Sequence, residues 1–171
     1  MILAHLNTLL NALKSLSFPK MMRVIGLLLR HPLFSALSFY ATMRTIHQTQ
    51  KYFPNTHNKS GKGNAFRHAL WCCTILMYCC KISSPRKALS WCKKMTDTHE
   101  ELFPNLPLEK QMDLHNNKVG MDIFTEMLNG IHRQFFEMNF FIPILLDKLK
   151  TAEILSDENS NSQNELVYIK D

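Results

Sequence analysis

Apolar residues recur along this chain every three or four positions, the period of a helix with one buried face. Ile2, Leu6, Leu9, Leu10, Leu13 and Leu16 form one such stripe. Ala88, Cys92, Met95, His99 and Leu102 form a second, and Met112, Val119, Ile123 and Met127 a third. Cys72 to Ile82 is apolar at nearly every position, as expected of a helix buried on all sides. The pattern predicts helices over residues 2–16, 20–30, 33–50, 64–82, 85–103, 107–129 and 131–155. Phe18-Pro19 and His31-Pro32 break the early ones. Residues 53–63 form a loop, Ser84 before Pro85 suits a helix start, and Pro104 a helix stop. No segment alternates with the two-residue period of a strand. The expected fold is therefore all-α, a single-domain bundle of six or seven helices. Along the chain it divides into basic amphipathic helices (1–50), a motif-bearing core (51–130), a C-terminal helix (131–155) and a loose polar tail (156–171).

Polar groups interrupt three of the predicted core faces. Asn64, Arg67, His68 and Trp71 share one face of the most apolar helix, and His99 continues the second stripe with Glu100 on its flank. Asn116 falls on the third stripe, with Asp113 on its edge and Asn117 beside it. Buried polar groups satisfy one another. Arg67, His68, His99, Glu100, Asp113, Asn116 and Asn117 are thus expected to meet in one internal cluster, with Asn64 supporting it. Taken singly, Asn64 suits a helix N-cap and Asp113 the cap of a helix restarting after Gln111. His115 lies about 200° round the helix from Asp113 and should point away. His57, in the loop, is a weaker candidate.

Two chemistries fit such a cluster. His68, His99, Glu100 and Asp113 offer mixed nitrogen and oxygen ligands suited to a divalent metal, zinc or manganese above all, with iron also compatible. The metal would activate water while Arg67 holds an anionic oxygen. Without metal, His99 or His68 would serve as general base and Glu100 as acid or orienter, which makes His99, Glu100 and Arg67 the catalytic candidates. The spacing matches no strong metal signature such as H-E-x-x-H. A buried ionic network that only fixes helix register is the structural alternative.

Composition sharpens this picture in two places. Only 5 Gly and 7 Pro in 171 residues favour long helices. The net charge of +6 conceals an asymmetry: residues 1–96 hold 14 Lys and Arg and no acid, whereas residues 97–171 hold 14 acids and 6 bases. The basic half suits an anionic membrane surface or a protein partner. Nucleic acid is not expected, since the bases are scattered without interleaved aromatics. Arg23, Arg30, Pro32 and Arg44 interrupt the apolar runs, so no spanning helix is expected. The start lacks the basic region of a signal peptide. Cys72, Cys73, Cys79, Cys80 and Cys92 include no C-x-x-C and read as reduced core thiols, which fits a reducing compartment.

The same residues resemble a family of small, functionally uncharacterised bacterial helical domains with the pattern [DN]-A-F-R-H-x-x-W, then H-E, then M-D-x-x-N-N-x-x-G. The matches are Asn64, Ala65, Phe66, Arg67, His68 and Trp71; His99 and Glu100; and Met112, Asp113, Asn116, Asn117 and Gly120. The likeness covers residues 53–124, leaving 1–50 and 130–171 outside it. The resemblance implies that many relatives carry Asp at the position of Asn64, a change that would weaken any ligand or proton-carrying role there. Some relatives are end domains of large secreted or wall-associated proteins, which implies a toxin-like or hydrolytic role in the bacterial cytoplasm or in a compartment to which the chain is delivered. The functional expectation is a small hydrolase, metal-dependent or acid–base, acting on an anionic phosphoester-type substrate. The alternative is a non-enzymatic helical module that binds a membrane surface or a partner protein, with the cluster purely structural.

Overall fold

Trp91 and Trp71 donate their indole N–H groups to Ser38 Oγ (2.8 Å) and Thr42 Oγ1 (2.9 Å), tying two helices to a third, and packing of this kind organises the molecule. The computed structural model describes residues 16–54, 60–157 and 164–170. Its helices are α1 (Phe18–Arg30), α2 (Pro32–Tyr52), α3 (Lys62–Ile82), α4 (Pro85–Leu102), α5 (Pro107–Met127) and α6 (Met138–Lys148). A 3-10 turn, Arg133–Phe135, precedes α6, and two short strands follow it, β1 (Glu153–Ile154) and β2 (Val167–Tyr168). Residues 2–15 of the expected first helix lie outside the described residues.

The most apolar helix is the hub. α3 packs against α2, α4, α5 and α6, and buries Phe66, Leu70, Ile75, Leu76 and all four of its cysteines. The five cysteines are unpaired and buried, in keeping with core thiols. The crossing of α3 and α5 is close: a Cβ at Gly120 would come within 2.2 Å of the Ala69 carbonyl oxygen. α2 meets α3 through small residues, Ser35, Ser38, Ala41, Thr45 and Thr49, all buried. Phe124, Phe136 and Phe141 close the far end of the core with ring centroids 4.7–5.9 Å apart. Ser84 accepts from the Lys87 amide at 3.4 Å, the expected cap of α4.

The structure corrects three expectations. Residues 131–155 are not one helix. Arg133 donates to the Ser83 carbonyl and Gln134 to the Lys81 carbonyl (2.8 Å), so this stretch wraps the C-terminal end of α3 and satisfies carbonyls that the helix leaves open. Strands are present, β1 and β2 pairing in parallel over two residues each. And residues 164–170 are held rather than loose. Leu166 and Val167 are buried, and the Asn116 side chain grips the Val167 backbone from both sides, Nδ2 donating to its oxygen (2.8 Å) and Oδ1 accepting from its nitrogen (3.0 Å). Apolar residues in a polar sequence here find a partner distant in the chain.

α1 runs against the usual amphipathic sense. Phe18, Met22, Ile25 and Leu29, spaced four, three and four residues apart, all face solvent, with Phe18 70% and Leu29 76% exposed. Only Leu27 of this helix is buried. Two of its basic side chains reach α4, Lys20 donating to the Leu102 carbonyl (3.1 Å) and the exposed Arg23 pairing with Glu101 (2.5 Å). No single described helix is long and apolar enough to cross a membrane; α1 and α2 reach that length together but bend by 112° between them.

Candidate active site

Three helices supply the cluster. His68 sits two turns into α3, Glu100 in the last turn of α4, and Asp113 in the second turn of α5. α3 begins at Lys62, so Asn64 is inside the helix, and its amide is free to donate to Asp113 Oδ1 at 2.9 Å instead of capping. α5 runs unbroken from Pro107, so Asp113 is likewise no cap. One imidazole nitrogen or carboxylate oxygen from each of His68, Glu100 and Asp113 lies within 4.8 Å of the other two. All three residues are buried.

The hydrogen bonds fix how each group is turned. His68 Nδ1 lies 3.2 Å from Asn117 Oδ1, which also accepts from Cys72 Sγ at 3.4 Å. Two donors converging on that oxygen set the proton on Nδ1 and leave the Nε2 lone pair facing inward. There Nε2 accepts from Arg67 Nη2 at 3.3 Å and lies 3.3 Å from Asp113 Oδ1. Arg67 Nη2 also donates to Asn64 Oδ1. The second oxygen of Asp113 accepts from Asn105 Nδ2 at 3.1 Å. Glu100 differs from all of these. It is 2% exposed, and neither of its carboxylate oxygens has a hydrogen-bond partner among the described residues.

Burial dominates the electrostatics. It holds His68 well below the usual imidazole range, with Arg67 and His99 adding to the effect. Burial and then Arg67 bring His99 down to about 4. Burial, followed by the neighbouring Asp113 charge, pushes Glu100 up to about 7, against the pull of Lys110 and Arg67. Burial raises Asp113 to about 6, opposed by Arg67 and by the amides of Asn64 and Asn105. Near neutral pH the site therefore combines neutral imidazoles, a guanidinium, one ionised carboxylate and one carboxyl close to half-titration.

Of the sequence-derived candidates, Asn64, Arg67, His68, Glu100, Asp113 and Asn117 come together. Two do not. Asn116 turns to the Val167 backbone: one position before Asn117, it lies about 100° round the helix from that residue, on the side that faces β2. His99 stands beside the cluster, its ring 6.4 Å from His68, 5.4 Å from Trp71 and 5.3 Å from Phe103, so it is not among the converging metal-ligand atoms. His115 points away as expected, 2.8 Å from the Glu165 carbonyl. His57 lies outside the described residues. Asn105 was not legible as a participant, since it sits in the loop between α4 and α5 where no periodicity assigns a direction. The rim is partly open: Arg67, Trp71, His99 and Phe103 are half-buried and Asn105 is exposed. Two hollows of the described surface lie elsewhere, one lined by Arg44, Tyr78 and Glu137, the other by Lys110, Leu114 and Lys118.

The model of a family described as "Domain of unknown function (DUF6973)" matches residues 25–153. The chain belongs to that family. No curated protein and no solved structure matches it. The DUF6973 domain is broader than the motif-bearing stretch 53–124: it starts within α1, takes in α2 to α6, and ends at the first residue of β1. All of His68, Glu100 and Asp113 lie inside it. The β2 segment gripped by Asn116 lies beyond the matched DUF6973 residues.

Proposed function

We propose that the protein is a hydrolase of anionic, phosphoester-type substrates. The observation that carries this reading is Glu100, a buried carboxyl without a hydrogen-bond partner among the described residues, poised near neutrality beside a second carboxyl and a guanidinium. Such a group is matched to proton transfer at physiological pH. Glu100 takes a proton from water as the water oxygen bonds to phosphorus, and returns it to the ester oxygen as that bond breaks. Arg67 balances the charge on the phosphoryl oxygens. His99, held near 4, is too weak a base for the first step and serves better at the half-buried rim against the incoming substrate. The test is hydrolysis of p-nitrophenyl phosphate and bis(p-nitrophenyl) phosphate by the full chain. Glu100→Gln is expected to lower kcat about 100-fold or more with unchanged far-UV circular dichroism. Absence of turnover on both esters, or an unchanged rate in the variant, overturns the reading.

The outward stripe of α1 favours a second reading, a module docked on an anionic membrane surface. Four exposed apolar side chains in register on one helix suit insertion at the headgroup level. The first 96 residues contribute bases and no acid, the charge complement of anionic lipid. Flotation of the full chain with phosphatidylglycerol vesicles is the measurement. Wild type is expected to float, and Met22→Glu combined with Leu29→Glu to remain at the bottom. These exposed positions contribute no core packing, so the fold is expected to survive. A wild type that does not float ends this reading.

A further inference from the structure

We infer that His68 Nε2, one Glu100 oxygen and one Asp113 oxygen form a divalent-cation site closed by α3, α4 and α5. The inference rests on the hydrolase reading only in sharing its residues, since it concerns binding and not turnover.

Ligands of one zinc or manganese ion at about 2.0–2.2 Å lie about 3–3.5 Å from each other. The three donor atoms already lie within 4.8 Å, so small side-chain rotations close the set. The Glu100 carboxylate, without a hydrogen-bond partner among the described residues, is the second, independent observation. Buried polar atoms are ordinarily satisfied, and a buried anionic group left bare is costly. A cation at the centre of the three residues satisfies it.

The supporting residues are arranged as metal ligands require. Asn117 Oδ1 accepts from the Nδ1–H of His68, which fixes the tautomer whose Nε2 lone pair can bind metal. Nε2 and Asp113 Oδ1 then lie 3.3 Å apart as two acceptors, each taking one hydrogen bond, from Arg67 and from Asn64, and a cation between them would take the place of the Arg67 contact on Nε2. Asn64 and Asn105 hold the Asp113 carboxylate through neutral amides, orienting it without cancelling its charge. With both carboxylates ionised, two negative charges face one from Arg67, a balance of −1. A divalent ion brings the balance to +1, which suits an anionic ligand. One imidazole and two carboxylates select zinc, manganese or iron over softer ions, and three protein ligands leave positions for water.

The experiment is titration of the metal-stripped full chain with Zn²⁺ by calorimetry and with Mn²⁺ by electron paramagnetic resonance. One equivalent is expected, and Glu100→Gln and Asp113→Asn are each expected to weaken binding about 100-fold or more. Glu101→Gln, at the exposed neighbour that pairs with Arg23, is expected to bind as wild type. Far-UV circular dichroism checks each variant. A ¹⁴N coupling from His68 on Mn²⁺ bound to wild type provides a measurement that needs no variant. Sub-stoichiometric uptake, absence of that coupling, or Glu100→Gln binding like wild type overturns the site. Stoichiometric binding with no ester turnover keeps the site and removes the hydrolase reading; turnover that survives chelation in a chain that binds no metal does the reverse.

Discussion

Gly120→Ala is expected to cost about 3 kcal/mol of stability or more, and to lower the urea midpoint without changing the slope. The added methyl would stand 2.2 Å from the Ala69 carbonyl oxygen and 2.8 Å from the Ala69 Cα and carbonyl carbon. These are backbone atoms of a fully buried residue and have no rotamer by which to yield. Either α3 and α5 separate along their length or the local helix distorts. Separation would open the contact where Cys73 Sγ meets the Gly120 carbonyl at 3.1 Å. It would also pull apart His68 and Asp113, which neighbour the same crossing on the two helices. Gly26→Ala supplies the control, because nothing lies within 4 Å of a Cβ there. In the exposed helix α1 that change is expected to be neutral or to stabilise by up to about 1 kcal/mol through helix propensity. Equal midpoints for Gly120→Ala and wild type would show that the crossing is not as tight as these distances make it.

The helices and the meeting of their polar faces were legible because both follow from spacing alone. Residues three and four apart share a face, and an apolar face must find a core, so Asn64, Arg67, His68, Glu100, Asp113 and Asn117 could be assigned to a common interior. Spacing does not say what a side chain finally bonds. Asn116 lay on the right stripe yet serves the backbone of Val167, a partner 51 residues away in sequence. Periodicity likewise marks a stripe without saying which way it faces, and in α1 the apolar stripe faces out. Strands of two residues carry no readable alternation. The break between Met127 and Met138 arises because Arg133 and Gln134 are drawn to the end of α3, a tertiary demand that local propensity does not encode. The charge asymmetry of the sequence is realised in two ways. Arg23 meets Glu101 at the surface, and Arg67 faces the Asp113 and Glu100 charges inside. Only the second lies where water does not screen it.

Glu100→Gln is expected to stabilise the chelated protein at alkaline pH and to make no difference at acid pH. Glutamine has the shape of the protonated acid but cannot ionise. The groups facing Glu100 are Asp113 and Lys110 from α5 and Arg67 and His68 from α3, with His99 beside it on α4; only Lys110 and Arg67 oppose the rise of its pKa from 4.5 to about 7. A carboxyl whose folded pKa is raised binds more protons folded than unfolded between those values. Its contribution to stability is therefore lost as pH climbs from about 4.5 to 7. The full difference amounts to about 3 kcal/mol, larger than most single surface changes produce. At pH 5 the folded carboxyl is neutral and the unfolded one has only begun to lose its proton, so the two proteins should differ by less than about 1 kcal/mol. At pH 8, in chelator, the variant should unfold at the higher denaturant concentration. Zn²⁺ at pH 8 closes most of the gap, since at 100 times its dissociation constant a bound ion adds about 2.7 kcal/mol to wild type and little to the variant. Denaturant melts at pH 5, 6, 7 and 8, with and without the ion, trace both effects. A difference that stays flat with pH would mean that the carboxyl is already paired or hydrated, and the buried, partnerless Glu100 on which both functional inferences depend would be gone.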